Sequence, residues 1–166
     1  MSRALVFSLA ICAAGGASES LFAGSRIKQR FAELQLPRYA VPLWGWIIIG
    51  AGYYVICFAI LYRLFELPPT SGRNAALGLL GGIMFVNALW NYFFFRTRNL
   101  FHAYVIGVCY TASTLALFLL LLMRVDRTAA GYLFPYILYL IYANAWGYRI
   151  WKLNPGRTGD VADDTG

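Results

Sequence analysis

The sequence between residues 99 and 123 reads NLFHAYVIGVCYTASTLALFLLLLM and contains no Asp, Glu, Lys or Arg. An α-helix rises about 1.5 Å per residue, so about 20 residues cross the roughly 30 Å hydrocarbon core of a bilayer. An apolar run of this length is the sequence signal of a membrane-spanning helix. The stretch therefore predicts a transmembrane helix.

Three further uncharged runs of similar length occupy residues 39–62, 74–95 and 128–148. A shorter run begins after Arg3 and reaches Glu19, and it suits either a cleaved signal peptide or a retained helix. We favour the helix, which can continue beyond Glu19 if that side chain lies at headgroup depth or faces other helices. The fold class predicted is an all-α integral membrane bundle of five transmembrane helices, at about 4–23, 42–64, 74–95, 99–123 and 129–152.

The composition supports a membrane protein. Hydrophobic residues make up 60% of the chain and charged residues 13%, whereas soluble domains average about 45–50% and about 25%. Intrinsic disorder, a disulfide scaffold and a collagen-like fibre are excluded, because they need low hydrophobicity, many cysteines or a strict glycine period. The net charge of +7 would suggest nucleic acid in a soluble chain, but here the basic residues lie in short gaps between apolar runs. We expect membrane lipid as a partner and no nucleic acid.

The basic residues are unevenly divided between the two sides of this predicted bundle. Nine of the fourteen lie on the side that holds the first loop, the third loop and the C-terminus. Because basic loops mark the cytoplasmic side, we expect the C-terminus of this multi-pass protein in the cytoplasm. The polar loop 24–41 should lie over the bundle mouth. The predicted membrane domain covers residues 1–154, and the polar tail 155–166 should be disordered.

Few residues suggest reaction chemistry. Cys12, Cys57 and Cys109 lie in separate apolar runs without CxxC spacing, and His102 has no carboxylate nearby in the sequence. This pattern predicts no metal site. The sequence also lacks the common phosphate-binding, dinucleotide-binding and serine-hydrolase motifs. We therefore predict no catalytic residue and no enzyme.

Asn87 is a polar residue well inside an apolar run, three positions before Trp90. The two side chains share one helical face. An amide facing lipid would be costly, so Asn87 should point into the bundle. Two interpretations stay equally open: the pair lines a cavity for a flat apolar guest, or Asn87 only makes a hydrogen bond that joins two helices.

The chain resembles a known family in three segments. One segment contains, at fixed spacing, Asn87, Trp90, Phe94, Phe95 and Ala103. It resembles the N-x-x-W-x-x-x-F-F-x7-A signature of the TspO/MBR family, the tryptophan-rich sensory proteins and translocator (peripheral benzodiazepine receptor) proteins. Residues 31–44 resemble the family's WYxxLxKPxxxPPxW loop, and residues 135–154 resemble its PYxxWxxFAxxLNYxxW segment. The resemblance extends over residues 15–154.

The resemblance implies a five-helix membrane bundle, often dimeric, that binds porphyrins, sterols or synthetic aromatic ligands in a pocket open toward the first loop. A porphyrin or haem-like molecule would be a ligand, and no resident cofactor is predicted. Carried over by position, the implied ligand-binding residues are Trp44, Asn87, Trp90, Tyr139 and Ala143.

This chain departs from the family pattern in the same region. Gly50 and Tyr139 stand where the family has tryptophans in its second and fifth helices, and Arg30 replaces a loop tryptophan. We expect these changes to alter the shape and the charge of the pocket.

Gly78 and Gly82 form a GxxxG spacing, which lets another helix backbone approach closely. Two interpretations remain: a homodimer interface, as the resemblance implies, or close packing inside one bundle.

Three functions remain open. The leading one is a membrane-embedded binding or regulatory protein for a hydrophobic aromatic small molecule, tetrapyrrole or sterol-like, held between helices. The first alternative is a transporter or exchanger of such molecules. The second is an enzyme that acts on a bound tetrapyrrole, for which no acid, base or metal constellation can be named.

Overall fold

The computed structural model describes residues 2–156, and these residues form helices and connecting turns without any strand. The helices are α1 (Arg3–Ala23), α2 (Ile27–Ala32), α3 (Leu43–Glu66), α4 (Ser71–Asn91), α5 (Leu100–Leu120) and α6 (Arg127–Leu153). Wider π-helical turns continue α4 over Tyr92–Arg96 and α5 over Leu121–Val125. The predicted tail falls mostly on residues 157–166, which lie outside the described residues.

Four helices in the described part of the chain are long and apolar enough to cross a membrane: Arg3–Ala23, Leu43–Glu66, Ser71–Arg96 and Leu100–Val125. At 27 residues α6 is long enough too. Its tyrosines, Asn144 and terminal charges make it less apolar than the other four, so its composition alone does not mark it as a span. Composition and length therefore support a multi-pass membrane protein without fixing the count at five.

The five long helices form a closed ring. Within residues 2–156, α1 packs against α3 and α4, α4 against α5, α5 against α6, and α6 against α3. α1 comes close to its neighbours at Gly15, where an added Cβ would lie 2.8 Å from Met84 Cε and 3.2 Å from the Tyr54 hydroxyl. Glycine thus brings the first helix against the rest of the bundle.

The ring is packed differently at its two ends. Near the ends that hold the α3–α4 and α5–α6 connections, the interior is filled by fully buried aliphatic side chains, including Ile60, Leu64, Ala76, Leu117 and Leu121. The opposite end is built from rings and small residues, among them Phe31, Phe94, Ala103 and Trp146. This aromatic end is where the bundle leaves an internal hollow.

At the aliphatic end of the ring, an ion pair joins α3 to the start of α6. Arg63 Nε donates to Asp126 Oδ2 at 2.6 Å, while Asp126 Oδ1 accepts from the backbone N–H groups of Thr128 and Ala129 and so caps α6. Burial tends to raise the pKa of Asp126, but the hydrogen bonds from Arg63 and from these two N–H groups outweigh it and lower the pKa. Asp126 therefore stays ionised and connects α3 to the start of α6.

The segment between α1 and α3, predicted to lie over the bundle mouth, includes a short helix. It contains the helix α2, which buries Phe31 against the bundle. The end of the segment is attached to α6: Asn154 accepts from Gln35 N at 3.0 Å and donates to Gln35 O at 3.1 Å, and Tyr142 Oη accepts from Val41 N at 3.2 Å. Unpaired backbone groups near a bilayer need such partners, so residues 24–42 form a lid held by α6.

Candidate functional site

A cavity of about 200 Å³ lies beneath the lid, inside the aromatic end of the ring. All five long helices and the lid contribute to its wall, and most of the wall is apolar. Its position matches the place where the aliphatic packing stops. A closed ring of helices with an unfilled end is a common setting for a small-molecule site.

Four of the five predicted ligand-binding residues line this cavity. They lie on two helices that both line the cavity: Asn87 and Trp90 on α4, and Tyr139 and Ala143 on α6. The structure therefore brings these four side chains to one cavity.

Trp44 is the exception, because it does not line the cavity. Its side chain is 66% exposed and is not part of the cavity wall. The inward face of α3 instead carries Leu43, Trp46, Gly50 and Tyr53, which recur at the three- and four-residue spacing of a helix. Trp44 lies one residue off this face and points away from it. That spacing is visible in the sequence, but it does not show which face of α3 turns inward.

Trp46 forms the part of the wall closest to the lid. Its indole Nε1 donates to Val41 O at 3.1 Å, and its ring centroid lies 4.5 Å from that of Trp146 and 6.4 Å from that of Tyr139. The hydrogen bond fixes the ring between the lid and α6. Trp46 therefore couples the position of the lid to the shape of the cavity.

Trp90 presents a flat surface on the opposite wall. It stacks on Phe94 with ring centroids 4.7 Å apart and planes 15° from parallel. Gly107 on α5 packs beside the indole, where an added Cβ would lie at ordinary contact distance, 3.8 Å from the indole nitrogen. The π-helical turn after α4 lets the adjacent Phe94 and Phe95 both reach the wall.

Asn87 combines the two interpretations that the sequence left open, because it lines the cavity and also joins helices by a hydrogen bond. Its amide lines the cavity and also donates a short hydrogen bond to Glu19 Oε1 on α1. The same oxygen accepts from the Tyr54 hydroxyl on α3 at 2.6 Å. These three side chains join α1, α3 and α4 through polar groups that would be costly to expose to lipid.

Glu19 is therefore a site residue that was not predicted. It lines the cavity, so it faces the other helices and not the headgroups. Its signal in the sequence was its isolation, as an acidic residue inside an otherwise apolar helix. Sequence alone did not show which way the side chain points.

Several other polar groups in the wall are bonded to one another, whereas Tyr53 Oη and Trp146 Nε1 are buried without a hydrogen-bond partner among residues 2–156. The hydroxyls of Tyr110 and Tyr136 lie 2.8 Å apart, and Asn144 Nδ2 donates to Thr111 Oγ1 at 2.7 Å. The described residues contain no group of three or more His, Cys, Asp or Glu side chains that would suit a metal ion. The wall is thus an aromatic surface with a few fixed polar groups.

The comparison with known families decides what kind of protein this architecture belongs to. A family profile described as "TspO/MBR family" matches residues 8–152, which is most of the chain. This chain belongs to the TspO/MBR family. The family match confirms the relationship indicated by the motifs around Asn87 and in α6.

Individual relatives are distant. The chain is similar to a protein named "Translocator protein" from Ovis aries, with 28% identity over 135 residues and 76% of each chain covered. A protein of the same name from Sus scrofa is 29% identical over 138 residues, covering 78% of this chain and 77% of the relative. "Protein CrtK" from Rhodobacter capsulatus is 26% identical over 147 residues, covering 87% and 89%.

Two departures from the TspO/MBR pattern shape the cavity directly. Gly50 lines it, and a Cβ added there would meet nothing within 4 Å, so the space of the family's tryptophan is open. Tyr139 keeps a ring in the wall, but a smaller one than the family's indole.

Arg30 replaces the third family tryptophan and lies in the lid. Its Nε and Nη1 atoms are buried without a hydrogen-bond partner among residues 2–156. Burial, together with the like charges of Arg98 and Arg26, lowers the pKa of this guanidinium. It does not line the cavity.

Filling the space at Gly50 should close the site. We expect Gly50→Trp to weaken the binding of acridine, a neutral three-ring aromatic at mildly alkaline pH, by at least about tenfold, because an indole would occupy the cavity. Saturable retention of acridine by immobilised, purified protein measures this. Gly52→Trp is the matched control, since Gly52 is exposed on another face of α3. Equal retention by wild type and Gly50→Trp would contradict this location of the site.

Proposed function

We propose that this protein binds a planar hydrophobic aromatic molecule in the cavity and that binding, not catalysis, is its activity. The observation that carries the proposal is the hollow itself: Trp46, Trp90 and Tyr139 offer ring faces, and Asn87 offers a polar group at the edge. Ring stacking contributes about 0.5–1.5 kcal/mol per pair beyond the burial of area. Membership of the TspO/MBR family agrees with this role.

The size of the cavity favours a small guest. At about 200 Å³ it lies below the roughly 300–1,000 Å³ of drug-sized sites. Two or three fused rings fit this volume, whereas a whole tetrapyrrole or a sterol requires the lid to move outward. The lid is held by its hydrogen bonds to α6 and Asn154, by the bond from Trp46 to Val41 and by the buried Phe31, so a larger guest requires these contacts to break.

Binding is favoured over catalysis because several of the polar groups of the wall are hydrogen-bonded to one another. Glu19 accepts from Tyr54 and Asn87, and Tyr110 is bonded to Tyr136. A general base needs a reacting proton within reach, and Glu19 Oε1 and the hydroxyls of Tyr110 and Tyr136 are already bonded to neighbours.

Transport of the bound molecule is the second candidate. The observation that favours it is Glu19, an ionisable side chain that lines a cavity inside a helix bundle, since such groups often mark substrate pathways in membranes. The relatives named "Translocator protein" carry the same suggestion in their name.

We further propose that α6 is a fifth membrane span and that the C-terminus is cytoplasmic. The packing of α6 against α3 and α5 along the ring supports this proposal. The excess of basic residues on the lid side sets the orientation. A C-terminal fusion to a reporter enzyme that is active only in the cytoplasm should be active, and an inactive but intact fusion would reverse the assignment.

Substitutions in the wall should weaken binding. We expect Trp90→Phe and Asn87→Ala each to lower acridine affinity by roughly fivefold, corresponding to about 1 kcal/mol, because one loses stacking area and the other a polar contact. The measurement is saturable quenching of tryptophan fluorescence by acridine.

Trp44→Phe is the matched control for this titration, because it removes an indole outside the cavity. It should leave the affinity unchanged. Saturable binding that survives both wall substitutions would overturn the proposed site.

Homodimerisation through α4 is also proposed. Gly78 and Gly82 are exposed, and an added Cβ at either would meet nothing within 4 Å, so they are not used to pack α4 inside its own bundle. Such a glycine face permits close backbone contact with a second copy.

The double substitution Gly78→Leu and Gly82→Leu should convert dimer to monomer in native mass spectrometry, because the added side chains hold two α4 backbones apart. Gly131→Leu, at another open glycine on α6, serves as the control. An unchanged dimer in the double variant would place the interface elsewhere.

A further inference from the structure

The electrostatic character of the cavity comes from a single residue. Among the described residues that line it, Glu19 is the one carboxylate, and no Lys, Arg or His contributes to the wall. The remaining side chains are aromatic, aliphatic, hydroxyl or amide groups. An ionised Glu19 would make the site anionic.

Glu19 also has bonding capacity to spare. Both of its hydrogen bonds, from Tyr54 and from Asn87, go to Oε1. Its Oε2 accepts none from residues 2–156, and the ion pairs within these residues, Arg63–Asp126 and Arg98–Glu33, do not include it. A carboxylate removed from water is costly unless a positive group pairs with it, so the empty space beside Glu19 is where such a group is stabilised.

The surrounding rings favour the same kind of guest. Trp46 and Trp90 line the cavity together with Tyr53 and Tyr139. The negative face of an aromatic ring attracts a cation, by about 0.5–2 kcal/mol per contact as water is excluded. Stacked rings and one carboxylate recognise a flat molecule that carries positive charge.

We propose that this cavity selects an aromatic ligand bearing a positive charge, such as a protonated or quaternary ring amine, held by Glu19 Oε2 and the ring faces. The inference rests on the proposed binding function and names the ligand class. It also implies that this site disfavours the carboxylate-bearing tetrapyrroles, since a second carboxylate inside the cavity would be repelled by Glu19.

The basic residues of the lid do not reverse this selectivity. Arg30 and its neighbour Arg98 belong to the lid and to the α4–α5 connection, and neither lines the cavity. Their charges influence how a ligand approaches through water, where salt screens them, and not the bound state beside Glu19.

A matched pair of ligands tests the proposal. Acridine is neutral at mildly alkaline pH, and 10-methylacridinium has the same three rings with a permanent positive charge. Affinities are measured by tryptophan quenching in nanodiscs of zwitterionic phosphatidylcholine, so that no lipid charge concentrates the cation. Wild type should bind the cation at least about tenfold more tightly than acridine.

Variants locate the cause of that preference. Glu19→Gln keeps an oxygen that can accept from Tyr54 and Asn87 but removes the charge, so the ratio of the two affinities should fall to near one. Glu19→Asp retains the charge and should keep a clear preference for the cation. Glu66→Gln removes an exposed carboxylate at the far end of α3 and should leave the ratio unchanged.

The outcomes separate this inference from the proposed function. Binding of acridine without a preference for 10-methylacridinium, or a preference that persists in Glu19→Gln, overturns the inference and leaves the binding function standing. Failure of both ligands to bind wild type saturably overturns both. A fluorescence-detected melting curve for each variant shows that the protein measured is folded.

Discussion

The absence of water in a bilayer core is the constraint from which this structure follows. Backbone N–H and C=O groups must bond within the chain there, which makes each apolar run a helix and leaves side chains to determine how helices meet. Polar side chains are subject to the same requirement. The bonds from Tyr54 and Asn87 to Glu19 are therefore central, because they place three polar groups inside the bundle and join α1, α3 and α4.

The division of the ring into a packed end and a hollow end connects this constraint to function. Aliphatic side chains such as Ile60 and Leu117 fill one end of the ring. At that end the Arg63–Asp126 ion pair joins α3 to the start of α6. At the other end, rings and glycines leave a hollow that the lid covers. The stable end holds the helices in place, so the cavity can exist without collapsing and the lid can be held by a few hydrogen bonds to α6.

Membership of the family and the residues in which this chain departs from the family pattern tell us different things about the cavity. The TspO/MBR family match covers residues 8–152, which include Asn87 and Trp90. Gly50 opens space where the family has a tryptophan, and Glu19 adds a carboxylate beside that space. A distant relative with the same fold can thus present a cavity with a different size and charge, and its ligand need not be the one bound by its relatives.

The sequence by itself determined the helical architecture, because runs such as 99–123 are too long and too apolar for any other structure. It also indicated the inward direction of Asn87, since an amide is costly in lipid. It did not determine which tryptophan of α3 lines the cavity, because Trp44 and Trp46 are the same residue type two positions apart in one apolar run. Only the rotation of α3 against α6 turned Trp46 inward. Tertiary structure alone likewise decided that Glu19 faces the cavity, because its partners lie 35 and 68 residues away and meet it only when three helices pack.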